Sequence, residues 1–309
     1  MRILQATHID FMSTRKIWYS ISGAVIIIGI IAAFVRGVSF GIDFLGGNEV
    51  LVRFNNPPAI SEIRNAVQNA GFTSSEIKTF GVASDILIRT LDLGEGTKTL
   101  DVITASLTKS FPNNSYTVLK SYKISAKIGS ELRTNAIYAV FSAMLIIMIY
   151  VGFRFQFIYG VAGVIALFHD VIATFGIIVL LNGLSPYLNL EIDQNIMAAF
   201  LTLVGFSIND TVVIFDRVRE NLKIHKSEDL KTIMNRSVNE TLSRSIITNG
   251  TVFLVITVLV IFGGEVNRGF AFTFFIGTIL GTYSTIYVAS AIVLDFTLLQ
   301  AKKAKLTNK

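Results

Sequence analysis

The 309-residue chain is 52% hydrophobic and only 16% charged, well below the roughly 25% charged share of a water-soluble globule, so lipid is the expected solvent for most of it. Its net charge of +6 bears on orientation in a membrane before it bears on nucleic acid, because Lys and Arg gather on the cytoplasmic side, and no basic patch with interleaved aromatics points to nucleic-acid binding. With no cysteine, disulfides, thiolate metal sites and cysteine nucleophiles are excluded.

Residues 1–16 read as a cytoplasmic N-terminus, and 17–35 carry no charge between Lys16 and Arg36. At 1.5 Å per residue that run crosses a hydrocarbon core of about 30 Å. It follows Arg15 and Lys16, as a signal peptide would. It is long, however, and lacks a small-x-small cleavage site, so an uncleaved anchor is expected.

Residues 36–133 differ in kind, since charged and apolar residues alternate at strand and helix periods. Val50 to Phe54 reads as a strand, Ser61 as the cap of a helix running to Ala70 and stopped by Gly71, and 77–80 and 86–90 as two more strands. A second helix is expected from about Lys98 and a last strand over 116–124. The order strand, helix, strand, strand, helix, strand is that of a ferredoxin-like α+β domain.

From 134 to 295 the chain returns to membrane character. Uncharged windows at 134–153, 245–264 and 269–294 each suffice for a span. The stretches 155–181 and 195–215 reach that length only with His169, Asp170 and Asp210 inside them. The whole reads as an α-helical polytopic protein of six transmembrane helices, with the α+β domain inserted between helices 1 and 2. Residues 216–244 form a basic cytoplasmic loop and 296–309 a basic cytoplasmic tail.

Fifteen Lys and Arg fall on one side of this scheme, among them Arg2, Arg15, Lys16, Arg154, seven in the 216–244 loop and four in the tail, ending at Lys309. The short opposite loops, 182–194 and 265–268, hold only Arg268, and the first carries Glu191 and Asp193. The positive-inside rule therefore places both termini in the cytoplasm and residues 36–133 outside.

Asp210 sits about sixteen residues into span four. An ionised Asp at mid-helix costs about 2.5–3.5 kcal/mol, so it must be protonated, paired or facing water. Each state suits proton movement; a structural hydrogen bond helped by Ser207, Asn209 and Thr211 is the competing reading. His169 and Asp170 lie near the middle of antiparallel span three, as a relay or as a self-satisfied polar pair. Arg244 opens span five within one or two helical turns of Asp210 and suits an ion pair with it. The alternative is an arginine that snorkels to lipid phosphates. Gly277 and Gly281 form a GxxxG stripe for close helix packing. The glycine-rich run 40–47 lacks the GK[ST] ending of a phosphate cradle, which argues against nucleotide binding. An intramembrane aspartyl protease built on Asp170 and Asp210 is opposed by the local motifs, His-Asp and Ile-Asn-Asp, and no enzymatic activity is expected.

In order along the chain, GIDFLGG at 41–47, ALFHDV at 166–171, GFSINDTVV at 205–213, FDRVREN at 215–221, TLSRSIIT at 241–248, FGG at 262–264 and YVAS at 287–290 resemble the SecD/SecF family of bacterial protein-export proteins. The resemblance is on the SecF side and covers essentially the full length. It implies a partner, SecD, completing a pseudo-symmetric twelve-helix unit similar to resistance-nodulation-division transporters. It also implies the SecYEG channel, YajC, translocating preproteins and membrane lipids as further partners, in the bacterial cytoplasmic (inner) membrane. No cofactor is implied beyond a coupling ion, the proton, with sodium as the alternative.

Asp210 and Arg244, with Ser207 and Asn209 beside the carboxylate, match the family's proposed proton pathway, and His169 and Asp170 match a further motif. Gly41, Asp43, Gly46, Gly47, Asp216 and Arg217 belong to family motifs as well. The departures are Ser245 and Asn249, in place of Thr and Ser. The mechanism expected is that protonation of Asp210 loosens its hold on Arg244 and moves the outer domain. A stand-alone proton-coupled exporter and a structural scaffold for SecD are the alternatives.

Overall fold

A computed structural model describes residues 7–73, 75–91, 98–155, 157–184 and 190–307. Arg2, Lys309 and positions 185–189 of the 182–194 loop lie outside the described residues.

Uncharged runs in lipid must satisfy their backbone hydrogen bonds internally, which helices do. α1 (Arg15–Arg36) is the first of them, followed by the short α2 (Ile42–Leu45). The α+β insertion then comprises β1 (Gly47–Phe54), α3 (Ile60–Asn69), β2 (Ser75–Phe80), β3 (Val82–Leu91), α4 (Lys98–Ser110) and β4 (Tyr116–Ile124). The remaining helices are α5 (Ala126–Arg154), α6 (Phe157–Leu181), α7 (Gln194–Ile224), α8 (Leu230–Phe262) and α9 (Gly264–Ser284). A π-helical turn, Thr285–Ala289, joins α9 to α10 (Ser290–Thr307). Among the described residues, six helical segments are long and apolar enough to cross a membrane: α1, α5, α6, α7, α8 and the continuous α9–α10 rod.

The four strands form one antiparallel sheet in the order β2-β3-β1-β4. Alternation directs Val50, Val52, Ile86 and Ile88 to one face, where they are buried against Ile63 of α3 and Ile103 and Leu107 of α4. The helix α3 differs from expectation at its start: Ala59, after Pro57 and Pro58, occupies the N-cap without a side-chain bond, and Ser61 lies inside the first turn. The two prolines hold the approach extended, so the helix begins just after them. Gly71, at φ +97, follows its end.

Chain entry and exit of the insertion meet at the glycine motif. Gly46 has φ +83, and a Cβ there would lie 2.6 Å from Ala126 N, in the first turn of α5. A Cβ at Gly129 would in turn stand 3.0 Å from Phe44 O. The backbone of 39–41 also pairs with the segment before α7: Gly41 N donates to Ile192 O (3.0 Å) and Ile192 N to Ser39 O (2.8 Å).

The segment 216–244, expected as a loop, is almost entirely helical. α7 runs on to Ile224 and α8 begins at Leu230, with Asp229 accepting from Thr232 N as its N-cap. The extensions pair with each other, Asn221 Nδ2 donating to Ser237 Oγ (3.0 Å) and Glu240 Oε2 (2.8 Å). Charged residues do not oppose helix formation where water covers one face, so the hydropathy boundary is not the helix boundary.

α1 crosses α6 at near backbone contact, where a Cβ on Gly29 would lie 2.5 Å from Gly176 Cα. A Gly29→Leu substitution is therefore expected to push α1 off α6 at a cost of about 1–3 kcal/mol or more. The check is a lowered thermal unfolding midpoint in detergent, with Gly23→Leu, which meets nothing within 4 Å, as the unaffected control.

A buried polar network across the helix bundle

α7 and α9 run side by side in a fixed register because small residues of α9 admit α7 side chains. A Cβ at Gly277 would stand 2.7 Å from Leu203 Cδ2. One turn on, a Cβ at Gly281 would lie 3.2 Å from Ser207 Oγ and 3.5 Å from Asp170 Oδ2. A further turn on, Thr211 and Thr285 hydroxyls meet at 3.1 Å. The glycine pair thus does more than allow close packing, since Gly281 leaves the space in which three helices bring their polar groups together.

Asp170 of α6 is fully buried, at 0% exposure, and His169 beside it is 7% exposed. Asp170 Oδ1 lies 2.9 Å from His169 Nδ1. Its Oδ2 accepts from Ser207 Oγ of α7 (2.6 Å) and from Ser284 Oγ of α9 (2.8 Å). His169 Nε2 is 2.8 Å from Tyr283 OH, which is 2.6 Å from Ser22 Oγ of α1. Four helices are tied by this chain. At its edge the rod α9–α10 takes its π-helical turn, with Ser290 Oγ donating to Thr285 O at 2.9 Å; such turns recur at functional positions in helices.

Asp210 of α7 is 7% exposed, and its Oδ2 accepts from Asn249 Nδ2 of α8 at 2.5 Å. The expected Asp210–Arg244 ion pair is not formed. Arg244 is exposed and, among the described residues, has no acidic partner within 4.0 Å. Helical geometry explains it. Thr241, Ser245 and Asn249 recur every four residues and are buried, whereas Arg244 precedes Ser245 and is turned about 100° away. Asn209 likewise lies on the exposed side of α7, next to Asp210 but outside the network. In the sequence Asn249 stands out only as a departure from the family pattern; its signal is an amide within an otherwise apolar span.

A cavity of about 1110 Å³ opens at the bundle end opposite the sheet. Arg244, Asp216, Arg217 and Asp10 line it, as do Val213 and Thr248, neighbours of Asp210 and Asn249 on their helices. Arg217 is committed to ion pairs with Glu240 and Glu220 at its rim.

The motif residues Gly41, Asp43, Gly46 and Gly47 lie at the other end of α7. Asp193 caps α7 by accepting from Ile196 N (2.8 Å), and Asp43 Oδ2 accepts from Gln194 N (3.3 Å). Next to the cap, burial pushes the Glu191 carboxyl up to about 7, helped by Glu76 and Asp193 and opposed by Lys78 and Arg89. Burial also raises Asp193. Charges on the sheet therefore reach the joint, where Arg89 ion-pairs with Glu49 (2.7 Å) and Lys78 with Glu76 (2.8 Å).

Six apolar helices carrying buried, mutually bonded ionisable side chains, with an α+β insertion docked on one end, define a multi-pass membrane protein. Residues 103–298 match the model of the SecD/SecF protein export membrane protein C-terminal family, and 31–58 match the SecD/SecF GG motif. The chain belongs to the SecD/SecF family, among its SecF-type protein translocase subunits. It is 41% identical to the protein translocase subunit SecF of Rhodothermus marinus over 308 residues, covering 100% of this chain and 99% of that one. It is 37% identical to that of Escherichia coli O157:H7, covering 92% of this chain and 87% of that one. The crystal structure of SecDF, a translocon-associated membrane protein of Thermus thermophilus, superposes with a TM-score of 0.78 at 34% identity. That match covers 94% of this chain but only 39% of the SecDF chain.

Two outcomes are expected. Asn249→Leu deprives Asp210 of its donor and is expected to cost about 1–3 kcal/mol, read as a lower unfolding midpoint, with Asn249→Ser recovering part of it. Glu191 binds more protons folded than unfolded, so its contribution declines as pH rises from 4.5 to about 7. Unfolding midpoints measured across that window are expected to fall less steeply for Glu191→Gln than for the unaltered chain.

Proposed function

We propose that this chain works beside SecD in the bacterial cytoplasmic membrane, using the proton-motive force to promote preprotein translocation through SecYEG, with YajC as a further partner. The proton is the coupling ion. The observation that carries the reading is Asp210, buried with Asn249 of α8 as its hydrogen-bond partner, their helix neighbours Val213 and Thr248 lining the cavity. A buried carboxylate in a span marks an ion pathway more often than packing alone. In the proposed cycle, protonation of Asp210 removes the charge-assisted bond from Asn249 and lets α7 and α8 shift; Arg244, waiting in the cavity, is the counter-charge for the ionised state in another conformation.

α7 carries the consequence across the membrane. Its 31 residues make a rod of about 46 Å, with Asp210 near its middle and the Asp193 cap, bonded to the glycine-motif segment, about 25 Å away at one end. The insertion, read as a ferredoxin-like domain from its strand order, then moves with α7 against the emerging preprotein. Both termini face the cytoplasm by the excess of Lys and Arg at that end. One charge crossing 100 mV supplies about 2.3 kcal/mol, enough to shift a conformational ratio by tens-fold. A self-contained exporter is disfavoured because the chain spans only 39% of the SecDF chain.

The test is preprotein export into inverted membrane vesicles under an imposed proton gradient, with Asp210→Asn matched to wild type in protein level and SecD association. Gradient-dependent stimulation is expected to disappear. Its survival would overturn the assignment of Asp210.

A further inference from the structure

The hydrogen-bond chain from α1 to α6 has a direction, and that direction defines a second proton path. An ionised carboxylate donates nothing. With Asp170 ionised, Ser207 and Ser284 donate to its Oδ2, and the bond at Oδ1 requires the proton on His169 Nδ1. In the neutral imidazole His169 Nε2 is then an acceptor, so Tyr283 OH donates to it and Tyr283 oxygen in turn accepts from Ser22 Oγ–H. Each atom's role follows from its neighbour's, at 2.9, 2.8 and 2.6 Å.

We propose that Ser22, Tyr283 and His169 form a proton wire that loads Asp170, separate from the Asp210 site. The step balances without any other reactant. A proton taken up at Ser22 Oγ displaces the serine proton to Tyr283 oxygen, the tyrosine proton to His169 Nε2, and the Nδ1 proton to Asp170 Oδ1. One proton enters and one carboxylate is neutralised, while His169 exchanges one neutral tautomer for the other. Every bond in the chain then points the opposite way. Unloading runs the same transfers backward: Asp170 returns its proton to His169 Nδ1, Nε2 gives its proton to Tyr283 oxygen, Tyr283 gives its own to Ser22, and Ser22 releases one, so every bond regains its first direction.

The surroundings suit this. Ser22 is 5% exposed and α1 is held at backbone contact to α6 by Gly29 and Gly176, which keeps the wire's ends in place. The groups facing Asp170 are His169 on its own helix, Ser207 from α7 and Tyr283 and Ser284 from α9. Among the described residues no Lys or Arg lies within 4.0 Å of it to hold it permanently ionised. The Ser22 end looks along α1 toward Tyr19 and Arg15, three and seven residues earlier and so on the same helix face. There Arg15 and Tyr19 bind the half-exposed Asp295, at 2.8 and 3.4 Å, so the wire opens toward the bundle end that bears the cavity. Tyr283 and Ser22 lie outside the family motifs.

The inference rests on the proton-coupled reading but is tested apart from export. In the complex with SecD, the carboxyl C=O band of Asp170 is identified by infrared difference spectroscopy through its loss in Asp170→Asn, and its appearance is followed after an acid jump. Tyr283→Phe keeps the ring and its edge contact with His169 (5.6 Å) and removes only the hydroxyl. We expect it to slow the band's appearance about a hundredfold, and Ser22→Ala to slow it in the same sense. An unchanged rate in an assembled Tyr283→Phe complex would overturn the wire. Should that variant fail to assemble, Ser22→Ala and the wild-type rate in D₂O decide: a concerted transfer is slowed by deuterium, and a rate insensitive to both refutes it. Since no export is measured, failure here leaves the Asp210 test standing, and the reverse.

Discussion

A carboxylate out of water must be neutral, paired or supplied with hydrogen-bond donors, and the architecture of the bundle follows from meeting that demand twice. Asp170 is given donors from two neighbouring helices and its own histidine; Asp210 is given an amide from a third helix. The first arrangement is not possible unless α9 comes close to α6 and α7. Gly277 and Gly281 make that approach possible, and the π-helical turn places Ser284 and Thr285 on the inward side. Helix packing and site chemistry here are one constraint.

The two sites differ in what surrounds them. Asp170 is fully buried and hydrogen-bonded at both oxygens, so protonating its Oδ1 reverses the bonds that run through His169 and Tyr283 to α1 while Ser207 and Ser284 still donate to Oδ2. Asp210 has a single donor, Asn249, and its helix neighbour Val213 lines the large cavity, so a change there involves one bond. Low dielectric strengthens the bonds of the first site and raises the cost of leaving any one unmade. Such a pair suits a device in which one carboxylate exchanges with solvent and the other governs helix positions.

The opposite end of α7 converts helix position into domain position. Gly46, in a left-handed backbone conformation that suits glycine alone, brings the entering chain onto the first turn of α5. The neighbouring backbone of Ser39 and Gly41 pairs with Ile192 just before the Asp193 cap. The insertion is therefore tied to the bundle by backbone contacts and a helix cap, which transmit displacement more faithfully than exposed ion pairs. Charges on the sheet that act on Glu191, namely Glu76, Lys78 and Arg89, set the electrostatics of that joint.

Much of this was legible in the chain itself. Six spans, the inserted strand and helix order, and the residues worth suspecting follow from hydropathy and periodicity, because lipid and a half-buried sheet each impose a residue pattern along the sequence. Partner choice was not legible. Arg244 and Asn249 are both within reach of Asp210 along the sequence, and only the rotation of α8 about its axis decides that the amide faces α7 and the guanidinium faces the cavity. Ser22 and Tyr283 are unremarkable residues 261 positions apart, joined because α1 and α9 both pack on α6. Local pattern determines which segments are helical and which faces are apolar, since those depend on neighbours one turn away. The pairing of polar groups depends on crossing points and rotations of separate helices, and those exist only once the tertiary structure has formed.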